Sequence, residues 1–160
     1  MAIPDRVNLY RAQALRSVGG NGWRMSHNPP APELLDILDR VGVVAMDETR
    51  ILYSDNTSVM NMGAMVKRDR NHPSIIIYSY CNEGKCDLTM VPRPESSSAL
   101  HLLAGCGPIG APQFRNINLM YDTTRPTLGN AENSRMDPYT DVEGFSHSPV
   151  RRVASVCCLI

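Results

Sequence analysis

The sequence lacks an excess of charge of either sign, because 16 lysine and arginine residues balance 16 aspartate and glutamate residues. Proteins that bind nucleic acid or an anionic membrane through bulk electrostatics carry a basic surplus, and none is present here. No apolar run approaches the roughly 20 residues that a membrane-spanning helix requires. The composition therefore gives no case for a nucleic-acid partner or for a membrane span.

The cysteines lack the spacing of a zinc site. None of the 5 forms a CxxC pair with a matching second pair or with histidine partners. Their odd number, together with the lack of an N-terminal apolar leader, favours a reducing compartment and hence the cytoplasm. Cys81, which lies in an apolar stretch, is expected to be a packed thiol rather than a nucleophile.

The last four residues, 157–160, read Cys-Cys-Leu-Ile and follow the outline of a prenylation signal. Four-residue patterns often arise by chance, and isoleucine is not among the usual final residues of such a signal. Residues 150–160 are therefore interpreted as an unmatched tail, with a lipid anchor as an alternative.

Aromatic residues make up only 6% of the chain, whereas 12 prolines and 11 glycines indicate many turns. In the first half, apolar residues alternate between helical spacing and short continuous runs. Continuous apolar strands are covered on both faces, which indicates a parallel sheet in an α/β protein. The predicted helices span 4–17, 33–41 and 58–68, and the predicted strands span 21–26, 43–46 and 74–80.

Polar side chains follow each of the three predicted strands at its carboxyl end. In parallel α/β folds, and especially in (β/α)₈ barrels, that edge of the sheet carries the active site. The residues are Arg24, Ser26 and His27 at the end of the first strand, Asp47 and Glu48 at the end of the second, and Asn82 and Glu83 at the end of the third.

Several kinds of chemistry remain open for these residues. His27, Asp47, Glu48 and Glu83 could hold a metal ion, although they form no compact ligand motif such as HExxH. Glu83 could also be an ordinary solvated residue at the end of a strand. Alternatively, it exchanges a proton with a substrate whose hydroxyl group is held by Asn82, which is the division of labour that glycoside cleavage needs.

Two long segments resemble the signature segments of glycoside hydrolase family 2, which includes β-galactosidases, β-glucuronidases and β-mannosidases. Residues 21–48 contain the family's Asn, Arg, Ser-His and Pro, followed by paired leucines, an aspartate and a glycine at its spacing. Residues 68–84 contain Arg-Asn-His-Pro-Ser, an aliphatic triplet and Asn-Glu. Residues 124–134 and 141–149 are similar to later segments of the β-galactosidase-like members.

The resemblance implies a role for each polar residue at the strand ends. Glu83 matches the family's general acid/base, and Asn82 matches the amide that holds the 2-hydroxyl of the sugar. His27 matches a histidine that lines the sugar subsite, and Arg24 matches an arginine that helps to fix the catalytic carboxylates. The Asp47–Glu48 pair matches the acidic pair that ends the following strand of the family, which implies a structural role next to the residues that contact the sugar. No cofactor and no metal are implied, and the partner is a β-galactoside or a related sugar.

The resemblance also implies a fold, namely part of a (β/α)₈ barrel with parallel strands, left incomplete because a barrel takes about 250 residues. Residues 1–84 form its first part, and residues 113–149 contribute a helix at 113–122 and strands within 124–131 and 137–149. Residues 85–112, which are rich in proline, serine and glycine, are expected to be an irregular insertion.

Retaining glycosidases need a second carboxylate about 5 Å from the acid/base. No residue after Glu83 carries the family's nucleophile motif, and Glu143 lies in a segment that matches an intervening strand. We therefore expect the family function to be retaining hydrolysis of terminal β-galactosides, and the 160-residue chain to be an inactive fragment. A sugar-binding or partner-binding remnant without catalysis is the alternative.

Overall fold

The structure is a computed structural model that describes residues 3–49, 55–82, 110–131 and 139–145. Glu83, the implied acid/base, lies outside the described residues, as do most of the expected insertion and the whole of the expected tail at 150–160. The backbone at Glu143 is described, but its side chain is not.

The described residues form four helices and five strands, which alternate from α1 to β4, and β5 is the next described element. The helices are α1 (Asp5–Ser17), α2 (Pro32–Val41), α3 (Asn56–Asp69) and α4 (Gly110–Tyr121). The strands are β1 (Gly22–Arg24), β2 (Val44–Glu48), β3 (Ile75–Asn82), β4 (Thr127–Ala131) and β5 (Val142–Phe145).

Helix α2 shows how the local sequence sets the helix ends. Pro32 occupies the first turn, where its missing N–H costs nothing. Gly42 ends the helix in the left-handed conformation with φ 74° and donates its N–H to the carbonyl of Leu38. At the start of α3, the Asp55 carboxylate accepts a hydrogen bond of 2.9 Å from the backbone N–H of Ser58.

All neighbouring strands are parallel, and their order in the sheet is the same as their order in the chain. This winding is typical of a (β/α)₈ barrel, because a doubly wound sheet reverses its strand order at a switch point. The described strands form five neighbours of such a barrel and do not close it. The prediction of a partial, parallel-stranded α/β barrel is confirmed.

The core lies between the sheet and the helices, where apolar side chains of both layers are fully buried. Tyr80 of β3 and Phe114 of α4 pack edge to face, with ring centroids 5.8 Å apart. The strands are not covered on both faces throughout, because Val44 is 37% exposed and Ile76 is 46% exposed. In a complete barrel, side chains from all eight strands fill the interior.

Several boundaries differ from those predicted. Strands β2 and β3 both run two residues beyond their apolar stretches, to Glu48 and Asn82, because ladder pairing continues into the polar residues. Helix α4 begins at Gly110, inside the expected irregular insertion, and accommodates Pro112 in its first turn.

Among the described helices, none has both the length and the apolar character needed to cross a bilayer.

Contacts at the opposite edge of the sheet fix where β3 begins. Asp39 of α2 accepts hydrogen bonds from the Ser74 N–H at 2.8 Å and from His72 Nδ1 at 2.7 Å. Arg125 donates to the carbonyl of Ile75 at 2.6 Å and to that of His72 at 3.1 Å. The start of β3 is therefore tied to α2 and to the segment that leads into β4.

We expect Gly63→Val in α3 to destabilise the fold by about 1–3 kcal/mol, the usual range for overpacking a core. A β-carbon at Gly63 would lie 2.7 Å from Cγ1 of Ile117 and 3.1 Å from Cε2 of Tyr121, both in α4. Ala64→Val is the matched control, because it adds a β-branched residue to the same helix at an exposed position. Urea unfolding followed by circular dichroism measures both variants, and equal stabilities would contradict the expectation.

Candidate active site

Four polar side chains meet at the carboxyl edge of the sheet. Arg24 is the last residue of β1, His27 follows three positions later, Glu48 ends β2, and Asn82 ends β3. Because the three strands are parallel, their ends lie at the same edge and bring these side chains into hydrogen-bond contact. We call this group the Arg24 cluster.

Arg24 connects the other two strands of the cluster. Its Nε donates to Oε2 of Glu48 at 3.0 Å, and its Nη2 lies 3.3 Å from Oε1 of the same carboxylate. The same Nη2 donates to Oδ1 of Asn82 at 2.6 Å. Since a guanidinium has no acceptor atom, this contact requires the oxygen of the Asn82 amide to face Arg24 and its nitrogen to lie on the other side.

Glu48 is fully buried, and its carboxylate is contacted by the side chains of Arg24 and His27. The two-point contact with Arg24 is the geometry in which a guanidinium binds a carboxylate most strongly. Nδ1 of His27 lies 2.8 Å from Oε1 of Glu48. The His27 side chain is 43% exposed, so the ring extends from the buried carboxylate towards the open edge of the sheet.

Asp47, although adjacent to Glu48, belongs to a different environment, because successive side chains of a strand point to opposite faces. Neither of its carboxylate oxygens has a hydrogen-bond partner among the described residues. Burial, reinforced by the nearby Asp69 carboxylate, raises the pKa of Asp47 to about 8, against the opposing influence of Arg68. Asp69 itself is paired with Arg68, with Nη2 to Oδ2 at 2.7 Å.

The structure therefore brings together four of the residues singled out from the sequence and separates a fifth. Arg24, His27, Glu48 and Asn82 form one network, whereas Asp47 faces α3 and contributes no ligand or hydrogen bond to that network. A metal site that combines Asp47 with His27 and Glu48 does not form among the described residues. Glu83 follows Asn82 directly and remains a sequence prediction.

The expectation of a packed thiol at Cys81 is wrong, because this cysteine is disulfide-bonded in the structure. The side chain is fully buried in β3, as its apolar neighbours led us to expect. The apolar context predicted burial but carried no information about the bonding of the sulfur.

Two clusters of side chains were not predicted from the sequence. The first is the pair of acids Asp47 and Asp69, because Asp69 was not singled out and yet is fully buried beside Asp47. The side chains of Asp36, Asp39 and His72 place possible metal-ligand atoms within 4.8 Å of one another. This second group lies near the start of β3, away from the Arg24 cluster, and the contacts of Asp39 to His72 and Ser74 already give it a structural role.

The sequence model of the glycosyl hydrolases family 2 TIM barrel domain matches residues 7–61 and 53–93, together more than half of the chain. The chain is 41% identical over 94 residues to a β-galactosidase, BoGH2A, from Bacteroides ovatus, an alignment that covers 51% of this chain and 11% of that protein. It is 35% identical over 79 residues to β-glucuronidase from Homo sapiens, covering 43% of this chain and 12% of that protein.

Solved structures give the same picture for the fold. A glycosyl hydrolase family 2 member from Bacteroides cellulosilyticus superimposes with a TM-score of 0.67 at 26% identity, covering 90% of this chain and 19% of that chain. A β-glycosidase from Bacteroides vulgatus superimposes with a TM-score of 0.64 at 28% identity, and the superposition covers 90% of this chain and 17% of that chain. The chain thus spans between a tenth and a fifth of the length of these relatives.

We expect Asp47→Asn to remove a pH dependence of stability between about pH 4 and pH 8. The folded state keeps the Asp47 proton up to about pH 8, whereas the unfolded carboxyl ionises near its ordinary value of 3.8. The wild-type chain therefore loses stability as the pH rises through this window, by up to about 1.4 kcal/mol per pH unit. Asparagine has nearly the same shape and no charge, so the variant should lose less stability over the same pH range.

Urea unfolding at several pH values between these limits measures the difference between the wild type and Asp47→Asn. Asp5→Asn, at an exposed position in the first turn of α1, is the control and should show the same pH dependence as the wild type. A wild-type curve that runs parallel to that of Asp47→Asn over the whole window would contradict the buried, proton-holding state of Asp47.

Proposed function

Because the chain belongs to glycosyl hydrolase family 2, we propose that it derives from an enzyme that hydrolyses terminal β-galactosides with retention of configuration. The observation that carries the proposal is the Arg24 cluster at the carboxyl edge of a barrel-type sheet. That edge is where barrel enzymes hold their catalytic groups.

Glu83 is the proposed general acid/base. It follows Asn82 directly, and Asn82 is anchored to Arg24 at 2.6 Å, so the chain enters position 83 from a fixed point at the edge of the sheet. A carboxylic acid there would protonate the glycosidic oxygen as the leaving group departs. The Asn82 amide would hold the 2-hydroxyl of the sugar, a contact that strengthens as positive charge develops on the ring.

Arg24 and His27 have distinct tasks in this proposal. Arg24 orients the Asn82 amide and holds the Glu48 carboxylate next to it, so that the edge is preorganised before a sugar arrives. His27 extends from the same network into the open edge and would contact a ring hydroxyl. Positioning of this kind is a major part of catalysis, since small displacements of the reacting groups are costly.

A β-galactoside is the preferred sugar for two reasons. The B. ovatus β-galactosidase is 41% identical to this chain over 94 residues, whereas the human β-glucuronidase is 35% identical over 79. Residues 124–134 and 141–149 also resemble segments of the galactosidase-like members. A β-glucuronide is the substrate that the same comparisons offer as the alternative.

Hydrolysis with retention requires a nucleophile that these 160 residues do not supply by any motif. We therefore expect no release of phenol from phenyl β-galactoside by residues 1–160 alone. A small external anion such as azide or formate should substitute for the nucleophile by attacking the anomeric carbon while the phenol departs. Product analysis by NMR should then detect an α-galactosyl adduct.

The role of Glu83 is tested in the same rescued reaction with two leaving groups. Glu83→Gln should lower the rescued rate by about 10²–10⁴-fold for phenyl β-galactoside, the usual contribution of acid catalysis. It should have little effect on the dinitrophenyl galactoside, whose leaving group needs no proton. The control is Glu33→Gln, at an exposed position on α2.

Each alternative gives a different result. Turnover without added anion, abolished by Glu83→Gln, would show that the chain is a complete catalyst and would overturn the inactive-fragment proposal. If the anion restored the reaction only with a phenyl β-glucuronide, the proposed substrate would be a β-glucuronide instead of a β-galactoside. Galactoside binding without rescue would favour a non-catalytic sugar-binding remnant.

A further inference from the structure

We propose that Glu48 is a positioning residue that fixes the tautomer of His27, holding its proton on Nδ1 so that Nε2 is a hydrogen-bond acceptor. The inference concerns the site described above, and its meaning for a sugar rests on the proposed function. The tautomer itself is a property of this chain without any ligand.

The geometry of the contact identifies the donor. Oε1 of Glu48 lies 2.8 Å from Nδ1 of His27, within the usual range for a nitrogen that donates to a carboxylate. Glu48 is fully buried, so its ionised form can be satisfied only by groups of the protein. A carboxylate has no hydrogen to give, and therefore the neutral ring must place its hydrogen on Nδ1.

Arg24 offers the competing arrangement. Its Nη2 lies 3.5 Å from the same Nδ1, and a hydrogen bond from Arg24 would need that nitrogen to be an acceptor. The distance is 0.7 Å longer than that to Glu48, at the limit of hydrogen bonding. The same Nη2 already donates to Asn82 at 2.6 Å. The Glu48 contact is therefore the one that decides the tautomer.

The other ring nitrogen then has a defined chemical character. The described residues give Nε2 no hydrogen-bond partner, and the side chain is 43% exposed. A ligand group that binds at this nitrogen must donate a hydrogen bond. A sugar hydroxyl can do so, whereas an ionised carboxylate cannot, so this contact favours a hydroxyl-bearing part of the substrate.

Nitrogen-15 NMR of the full chain, with labelled histidine and at about pH 8, above the usual histidine titration, measures the tautomer directly. The two ring nitrogens of a neutral histidine have distinct shifts according to which one carries the proton. Disappearance of signals in His27→Gln assigns them to this residue. We expect His27 of the wild type to carry its proton on Nδ1.

Glu48→Gln should move that proton to Nε2. Glutamine has one acceptor oxygen, and the charged Arg24 side chain, which donates from Nε at 3.0 Å, should take it. The amide nitrogen of the variant would then face His27, and Nδ1 would have to become an acceptor. A role in packing alone would leave the tautomer unchanged, because glutamine and glutamate have nearly the same shape.

Two controls separate this effect from a general disturbance. His72, which contacts Asp39 through Nδ1 at 2.7 Å, serves as an internal reference and should keep its signals in every variant. Glu33→Gln should leave both histidines unchanged. A wild-type His27 with its proton on Nε2 would overturn the proposal, as would a Glu48→Gln chain that keeps the proton on Nδ1. The readout needs no sugar, so a failed hydrolase assay leaves it intact.

Discussion

The buried carboxylate of Glu48 is the constraint on which the polar edge of the sheet depends. An isolated carboxylate in such a position costs several kcal/mol, and removing one partner of a buried pair costs about 3–5 kcal/mol. Arg24 must therefore reach across from β1, and once its guanidinium is fixed, it also orients the amide of Asn82 in β3. One charge compensation thus aligns the ends of three strands and the ring of His27.

The same strand carries a second buried carboxyl group, Asp47, and the cost of burying its charge is avoided in a different way. Asp47 lacks a hydrogen-bonded cation and lies near another carboxylate, Asp69, so a proton rather than a counter-charge keeps it neutral. Glu48 is bound by Arg24 and belongs to the site, while Asp47 belongs to the layer between the sheet and the helices. Adjacent acids in the sequence therefore have different chemistry because the pleat turns them to opposite faces.

Much of the fold was predictable because the signals were local. Apolar runs at 43–46 and 74–80 identified β2 and β3, and the spacing in α2 identified that helix together with its Gly42 stop. The site was predictable from position, since polar residues at the ends of parallel strands must share an edge. The predicted strands ended two residues before the observed ends at Glu48 and Asn82. The apolar pattern stops there, but backbone pairing with the neighbouring strand continues into the polar residues.

The sequence by itself determined the family, the alternation of helices and strands, and the identity of the side chains at the polar edge. Only the tertiary structure decided which of them meet. Arg24, Glu48 and Asn82 are separated by 24 and 34 positions along the chain, and their contact distances depend on strand register and side-chain direction. The same holds for Asp47 and Asp69, whose proximity arises from packing of α3 on the sheet and has no counterpart in local spacing.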